Sequence, residues 1–322
     1  MPSTTKPPVV IPADYPLQIA GSPQLERLRD LADIQLYSDL PNSVEVQLER
    51  ARDAQIVINS RGAMTWPGNV LRQLPQLKMI TTCSIGIDSI DVETARDLGI
   101  VVSNVPGRTK TVVAEHALAL MLAVARRLVF MTSELRAGRW SGMKNSTLNG
   151  KTLGVIGTGA IGSETARLGR AIGMQVQAWT FHPTDERAQS LGASFVELDQ
   201  LLSTSDVVSI HLKLTEESRH LIGRRELALM QPGSFLVNTA RGAIVDSDAL
   251  VDALHSGHLG GAGLDVFDVE PLAADHPILR CDQVVLTPHN ADQSPEGMDL
   301  LNCGAVDNVL AFLRGSPQNQ VN

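Results

Sequence analysis

The stretch Thr152 to Gly162, TLGVIGTGAIG, limits what this chain can fold into more than any other. A short apolar run with the β-branched pair Val155 and Ile156 passes straight into Gly157-Thr158-Gly159-Ala160-Ile161-Gly162, and helix-compatible residues follow from Glu164 to Ala171. Strand, glycine turn and helix in that order mark a doubly wound parallel sheet. Gly157 makes the tight turn, Gly159 lets backbone amides approach a pyrophosphate, and Gly162 lets the helix pack closely on the strand. The positive helix N-terminus then faces the phosphates. The ligand class implied is a dinucleotide. A glycine turn can also be only a turn, so the flanking chain has to decide.

That flanking chain alternates strand and helix. Val9 to Ile11 reads as a strand, and Ser22-Pro23 as the cap and first turn of a helix reaching about Leu31. The alternation continues through Ile34 to Tyr37, Ser43 to Arg52, Ile56 to Ile58, Pro67 to Leu74 and Met79 to Thr82. Asp91 caps a further helix ended by Gly99, and Ile100 to Ser103 is the next strand. Crossover helices between apolar strands imply a parallel sheet covered on both faces, so residues up to about 105 form one α/β unit. Asn104-Val105-Pro106-Gly107 breaks the pattern, and Thr111 to Leu128 reads as a long connecting helix. Arg136 to Gly150 reads as irregular or lightly helical chain, in which Trp140 is either a contact with a second copy or a packing residue. From Lys151 a second series gives strands at 153–156, 175–179, 207–210, 234–238, 260–264 and 284–287. Its helices fall at 160–172, 184–191, 224–230 and 246–256, with a closing helix from Pro295 to Leu313. The expected fold class is α/β, with two doubly wound parallel-sheet domains.

At 322 residues, 43% hydrophobic and 19% charged, the chain is long enough for a sizeable core in each domain. A formal charge of -8 gives no electrostatic footprint for nucleic acid or an anionic membrane, so an anionic substrate has to be met by local cations. No apolar run of about 18 residues occurs, and MPSTTKPPVV lacks the apolar core of a secretory leader. The expected location is the cytoplasm. Cys83, Cys281 and Cys303 are odd in number and form no C-x-x-C pair, so they read as free thiols, and no metal site is expected. Cys83 has no base near it in sequence, which argues against a nucleophilic role.

In an open α/β sheet, ligands bind beyond the carboxyl ends of the strands. Three ionisable groups stand there in the second series: Arg241 in NTARG, Glu270 in LDVFDVEP and His289 in VVLTPHN. Singly, each has an ordinary explanation as a surface ion pair, a solvated loop charge or a satisfied histidine. Together, beside a dinucleotide turn, they suit hydride transfer to a 2-keto acid. Arg241 would hold the substrate carboxylate and polarise the carbonyl. His289 would give or take the hydroxyl proton, and Glu270 would orient the imidazole.

The segments SIGIDSIDVETARDLGIVVSNVPG, VAEHALALMLAVARR, TLGVIGTGAIG, HLKLTEESRHLIG, NTARGAIVD, GAGLDVFDVEP, TPHN and the tail GSPQNQVN span nearly the whole chain. In this order they resemble the D-2-hydroxyacid dehydrogenase family, which includes glyoxylate/hydroxypyruvate reductases and 3-phosphoglycerate dehydrogenases. The resemblance implies a flavodoxin-like substrate domain of residues 1–105 plus 297–322 and a Rossmann cofactor domain of residues 106–296. It also implies a hinged cleft between them that holds the active site, and a homodimer. Arg241, Glu270 and His289 become the catalytic set. Asp265 faces the cofactor, with Gly157, Gly159, Ala160, Ile161, Gly162, Thr180, His211, Lys213, Thr239 and Ala240 as further cofactor contacts. The substrate carboxylate goes to the backbone amides of Ser84-Ile85-Gly86. The implied ligands are NAD or NADP and a small 2-keto or 2-hydroxy acid.

Two alternatives stay open. Dinucleotide-sensing transcriptional corepressors keep the same residues, although this chain has no basic or disordered extension. Formate and phosphite dehydrogenases are relatives too, and Glu270 stands where formate dehydrogenases have glutamine. The end at Asn322 leaves no room for the regulatory C-terminal domain of longer phosphoglycerate dehydrogenases.

The chain departs from the family pattern at three places. About 20 positions past the glycine turn an acidic residue ordinarily accepts hydrogen bonds from the NAD ribose, whereas here Thr180 stands at that position, followed by Phe181-His182. With no carboxylate to repel a 2′-phosphate, and with Lys213 where many relatives have proline, NADP is expected to be tolerated or preferred. After His289 comes Asn290-Ala291-Asp292-Gln293, more polar than the apolar residue and glycine of many relatives. Arg61, in NSRGAM, is a possible second anion contact that would favour an acidic or phosphorylated substrate tail, or else a plain surface arginine.

Overall fold

The computed structural model describes residues 6–322. The chain divides into two compact units: a first unit up to Thr109 that also takes up Gln293–Asn322, and a second unit, Lys110–Asp292.

In the first unit β1 (Pro8–Ile11), α1 (Pro23–Glu26), β2 (Asp33–Leu36), α2 (Val44–Ala51) and β3 (Ile56–Asn59) lead to α3 (Gly68–Leu71), β4 (Met79–Thr82), α4 (Val92–Asp97) and β5 (Val101–Ser103). All pairings are parallel, in the order β2-β1-β3-β4-β5. Alternation along a strand sends successive side chains to opposite faces. Ile56 and Ile58 therefore join one core with Val9, Ile11 and Met79, while Val57 joins the other with Val10, Ile80 and Trp66. Ser22, Ser43 and Asp91 cap their helices, accepting from the amides of Gln24, Val46 and Thr94. Helices α1 and α3 are shorter than their sequence patterns suggest. Beyond Glu26 and Leu71 the chain continues in i→i+3 bonds, such as Leu28 to Leu25 and Leu74 to Leu71, which tighten the turn and end the α-helix.

The second unit opens with α5 (Lys110–Ala125) and α6 (Leu128–Arg136). Arg127, at φ 52°, breaks what the sequence suggests is one helix reaching Leu128. There follow β6 (Thr152–Ile156), α7 (Ala160–Ala171), β7 (Gln175–Trp179), α8 (Asp185–Leu191), β8 (Ser194–Phe195), α9 (Leu198–Thr204) and β9 (Val207–Ile210). Then come α10 (Arg224–Leu229), β10 (Phe235–Asn238), α11 (Ser247–His255), β11 (Gly261–Leu264) and β12 (Val284–Leu286). The seven parallel strands lie in the order β12-β11-β10-β9-β6-β7-β8. The order reverses at β6, which places the glycine turn at the topological switch point where doubly wound sheets bind ligands. Elements α6, β8 and α9 have no counterpart among the sequence expectations. Trp140 is 93% exposed.

The last helix, α12 (Pro295–Leu313), is capped by Ser294 and belongs to the first unit. Its Leu301, Ala305, Val306 and Val309 enter the core of Val9 and Ile56. The units divide at Thr109/Lys110 and Asp292/Gln293. Arg108 pairs with Asp307 at 2.6 Å, and Val105 lies where a Cβ on Gly304 would be, so residues 106–109 stay with α12. No helix among the described residues is long and apolar enough to cross a membrane.

Candidate active site

The glycine turn joins β6 to α7. Gly157 has φ 94°, and a Cβ there would fall 2.6 Å from the carbonyl oxygen of His211. A Cβ on Gly162 would fall 1.9 Å from the carbonyl oxygen of Gly157. The fold itself therefore demands both glycines. Gly159 differs: a Cβ there meets nothing within 4 Å, so close packing within the chain does not explain its glycine. It caps α7 without a side-chain bond, so the first-turn amides beside Ala160 and Ile161 remain available to an anion. Two buried hydroxyls at this edge of the sheet, Thr158 Oγ1 in the turn and Thr239 Oγ1 after β10, have no partner among the described residues. Buried polar atoms are ordinarily satisfied, and an incoming phosphate or ribose would satisfy these. The residues thus fit a dinucleotide.

Around this turn, His211 follows β9, and its Nε2 lies 2.8 Å from Ser209 Oγ. Burial pushes its imidazole down to about 4, which leaves it neutral. Thr180 lies directly beyond β7 and is partly buried. Beside it, Arg187 Nη1 donates to the carbonyl of His182 at 3.0 Å. Lys213 is exposed, and its carbonyl accepts from Ser218 Oγ at 2.7 Å.

The second unit gathers Glu270 and His289 into one pair, with Nδ1 of His289 2.6 Å from Oε2 of Glu270. The other carboxylate oxygen of Glu270 accepts from the Phe267 amide at 2.9 Å, which fixes its orientation. The hydrogen bond that His289 donates to Glu270 holds its imidazole above the ordinary value, outweighing burial and the positive charge of Arg241. Burial pushes the Glu270 carboxyl up, but the His289 hydrogen bond, the Phe267 amide and the charges of His289 and Arg241 together hold it below its ordinary value. Arg241 reaches this neighbourhood because its turn packs backbone on backbone: a Cβ on Gly242 would fall 2.0 Å from the carbonyl carbon of Phe267. The side chain of Asn238 closes that turn, donating to the Arg241 carbonyl at 2.9 Å and accepting from the Ala240 amide at 3.0 Å.

Asp265 lies beneath the pair and is 0% exposed. Its carboxylate accepts from Thr287 Oγ1 at 2.6 Å and from the amides of Asn290 and Ala291 at 3.0 Å each. Its carbonyl accepts from the His289 amide at 2.8 Å. Burial raises the Asp265 carboxyl, but the nearby His116 ring and the bonds from Thr287, Asn290 and Ala291 leave it below its ordinary value. His289 itself has φ 50°, a left-handed conformation that a non-glycine residue keeps only when its surroundings hold it. Thr158, Thr287 and His116 are absent from the sequence-predicted site. Thr287, in TPHN, and Thr158, in GTG, stand inside motifs already singled out, so a count of hydroxyls beside them would have found both.

In the first unit, the carbonyls of the Ser84-Ile85-Gly86 loop are all engaged, by Thr82 Oγ1 and the Val105 amide, by Asn104 Nδ2 and by Ser84 Oγ. The amides of the three residues have no acceptor among the described residues, so the loop presents donors. Arg61 follows β3 at φ 52° and is partly buried. Cys83 is buried, and burial pushes its thiol up, against a nucleophilic role. Among the described residues no group of three His, Cys, Asp or Glu is placed to hold a metal ion.

Comparison with known proteins fits this geometry. Residues 118–291 match the model of the D-isomer specific 2-hydroxyacid dehydrogenase, NAD binding domain. A glyoxylate reductase of Aeropyrum pernix is 40% identical over 309 residues, which cover 92% of each chain. Among solved structures, a D-lactate dehydrogenase from Aquifex aeolicus complexed with NAD and lactic acid is 31% identical, with a TM-score of 0.83 over 96% of each chain. An acyclic imino acid reductase in complex with NADPH and D-Arg is 27% identical, with a TM-score of 0.88 over 98% of this chain and 100% of that one. The chain belongs to the D-isomer specific 2-hydroxyacid dehydrogenase family.

Proposed function

We propose that the protein transfers a hydride between NAD(P)H and a small 2-keto acid, with His289 as the acid/base group. The observation that carries this reading is the 2.6 Å bond between His289 and Glu270 at the carboxyl edge of the sheet that holds the glycine turn. The dinucleotide, when bound, supplies the hydride. Gly157, Gly159, Ala160, Ile161 and Gly162 would hold its phosphates, with Thr158 Oγ1 and Thr239 Oγ1 finding their missing partners there. Thr180, His211, Lys213, Ala240 and Asp265 complete the cofactor edge.

The chain's own groups then divide the remaining work. Arg241 binds the substrate carboxylate and polarises the carbonyl. His289, held protonated by Glu270, donates its Nε2 proton to the carbonyl oxygen as that oxygen becomes a hydroxyl. In the reverse direction the same nitrogen takes the proton back. Glu270 stays ionised and keeps Nδ1 of His289 as the bonded nitrogen, so that Nε2 faces outward. In the first unit, the substrate domain on this reading, the donors for a carboxylate are the amides of Ser84, Ile85 and Gly86, with Arg61 for an acidic tail. With Thr180 in place of an acidic residue, NADP is tolerated or preferred. A homodimer in the cytoplasm completes the reading.

Oxidation of NADH and of NADPH by glyoxylate, hydroxypyruvate, pyruvate, phenylpyruvate and 2-ketoisocaproate tests this. At least one acid should be turned over, with NADPH used as well as NADH or better. A clear NADH preference would remove the reading of Thr180 and Lys213, and no turnover with any acid would remove the reaction.

A further inference from the structure

Helix α5 and strand β11 interlock in register, running in opposite directions. Four helical residues rise about 6 Å, and two strand residues rise about 6.6 Å, so contacts between the two stay in step. A Cβ on Gly261 would fall 2.8 Å from Val124 Cγ1, and one on Gly263 would fall 2.9 Å from Leu120 Cβ. The missing side chains are what let α5 settle on the strand. One further step along both elements brings His116 to Asp265. His116 Nε2 stands 2.9 Å from Thr287 Oγ1 and 3.5 Å from Asp265 Oδ1. The single hydroxyl proton of Thr287 goes to Asp265, so the hydroxyl oxygen is left to accept from the Nε2–H of His116. The chain of bonds runs from a helical imidazole through a hydroxyl to a buried carboxylate, whose other partners are the amides of Asn290 and Ala291.

We propose that His116 is a positioning residue for the redox site: through Thr287 it fixes the Asp265 carboxylate, and so holds the segment Thr287–Ala291 in the conformation where His289 meets Glu270. The inference rests on His289 being the acid/base group. Three features support it. Asp265 bonds to residues on both sides of His289. The backbone of His289 is left-handed and needs restraint. His116 comes from a helix, the rigid kind of element from which a supporting group acts with least loss of order.

The test compares His116→Gln, whose amide nitrogen reaches the place of Nε2, with His116→Leu and with Thr287→Val. The readouts are kcat/KM with the best 2-keto acid, thermal unfolding, and the titration of the His289 imidazole followed by NMR. His116→Leu and Thr287→Val should each lower kcat/KM roughly tenfold, mainly through kcat, because a slightly displaced proton donor slows the chemical step. In both, the His289 titration should fall towards its ordinary value as the pair with Glu270 loosens. His116→Gln should stay within about threefold of the parent in kcat/KM, and adding His116→Leu to Thr287→Val should cost little more. Equal behaviour of Gln and Leu would overturn the proposal, as would an unchanged His289 titration in Thr287→Val. If His116→Leu fails to fold, Thr287→Val, which keeps the shape, and His116→Gln decide. The His289 titration reads placement whether or not a given acid is reduced, so its failure is distinct from a failure of the proposed reaction.

Discussion

Asp14, just past β1 of the first unit, and Asp265, just past β11 of the second, are both 0% exposed, yet they hold different things. Asp14 accepts from the amides of Gln18, Ile19 and Ala20 and from Ser60 Oγ at 2.6 Å. All its partners are backbone or hydroxyl groups, and it fastens one loop to the end of β3. Asp265 also takes two amides and one hydroxyl, but behind the hydroxyl stands His116, and between the fastened residues stands His289. The same device, a buried carboxylate saturated with donors, fastens a plain loop in one place and the loop that carries His289 in the other. What separates the two is the residue that the fastened loop carries.

The largest expected difference between them lies in turnover. Asp265→Asn should lower kcat/KM about 100-fold through misplacement of His289. Asp14→Asn should leave kcat/KM within about threefold and act on stability, by about 1–3 kcal/mol, as a buried set of charged hydrogen bonds is weakened. Steady-state kinetics and denaturant unfolding of both variants check this, and equal effects on turnover would break the comparison.

The next effect is on pH. On the proposed mechanism reduction needs His289 protonated, and the bond to Glu270 holds it above the ordinary value of 6.5. Activity should therefore persist above that pH and fall as pH rises through the raised value. Glu270→Gln removes the anion, so the falling limb should move to lower pH. A limb that stays in place would show that Glu270 does not set the protonation of His289.

A smaller effect concerns stability. The raised His289 contributes stability fully below its unfolded value, and that contribution is lost as pH rises through the folded value. The lowered Glu270 contributes above its ordinary 4.5, and that contribution is lost as pH falls through the folded value. The pair thus stabilises most between those limits. Unfolding midpoints of the parent and Glu270→Gln should differ most between pH 4.5 and 6.5 and converge towards both extremes.

Much of this was legible in the sequence. Each of Arg241, Glu270 and His289 comes after a short apolar run in a strand–helix alternation, where such runs read as buried strands whose carboxyl ends lie along one edge of the sheet. TLGVIGTGAIG fixed the turn because Gly157 and Gly162 leave no alternative residue. Other features were hidden for physical reasons. The break at Arg127 interrupts a run with good helical propensity, and no glycine or proline marks it. The early ends of α1 and α3 arise from i→i+3 bonding, which side-chain patterns do not report. His116 lies about 150 residues from Asp265 in sequence, and only the matched rise of a helix and a strand brings the two together.

On the proposed mechanism His289 moves the proton. Its most direct test is kcat/KM of His289→Ala against the parent with the best 2-keto acid, alongside the dissociation constant of the reduced dinucleotide. A loss of about 100-fold or more with dinucleotide binding unchanged is the predicted result. Near-normal turnover in His289→Ala would contradict it.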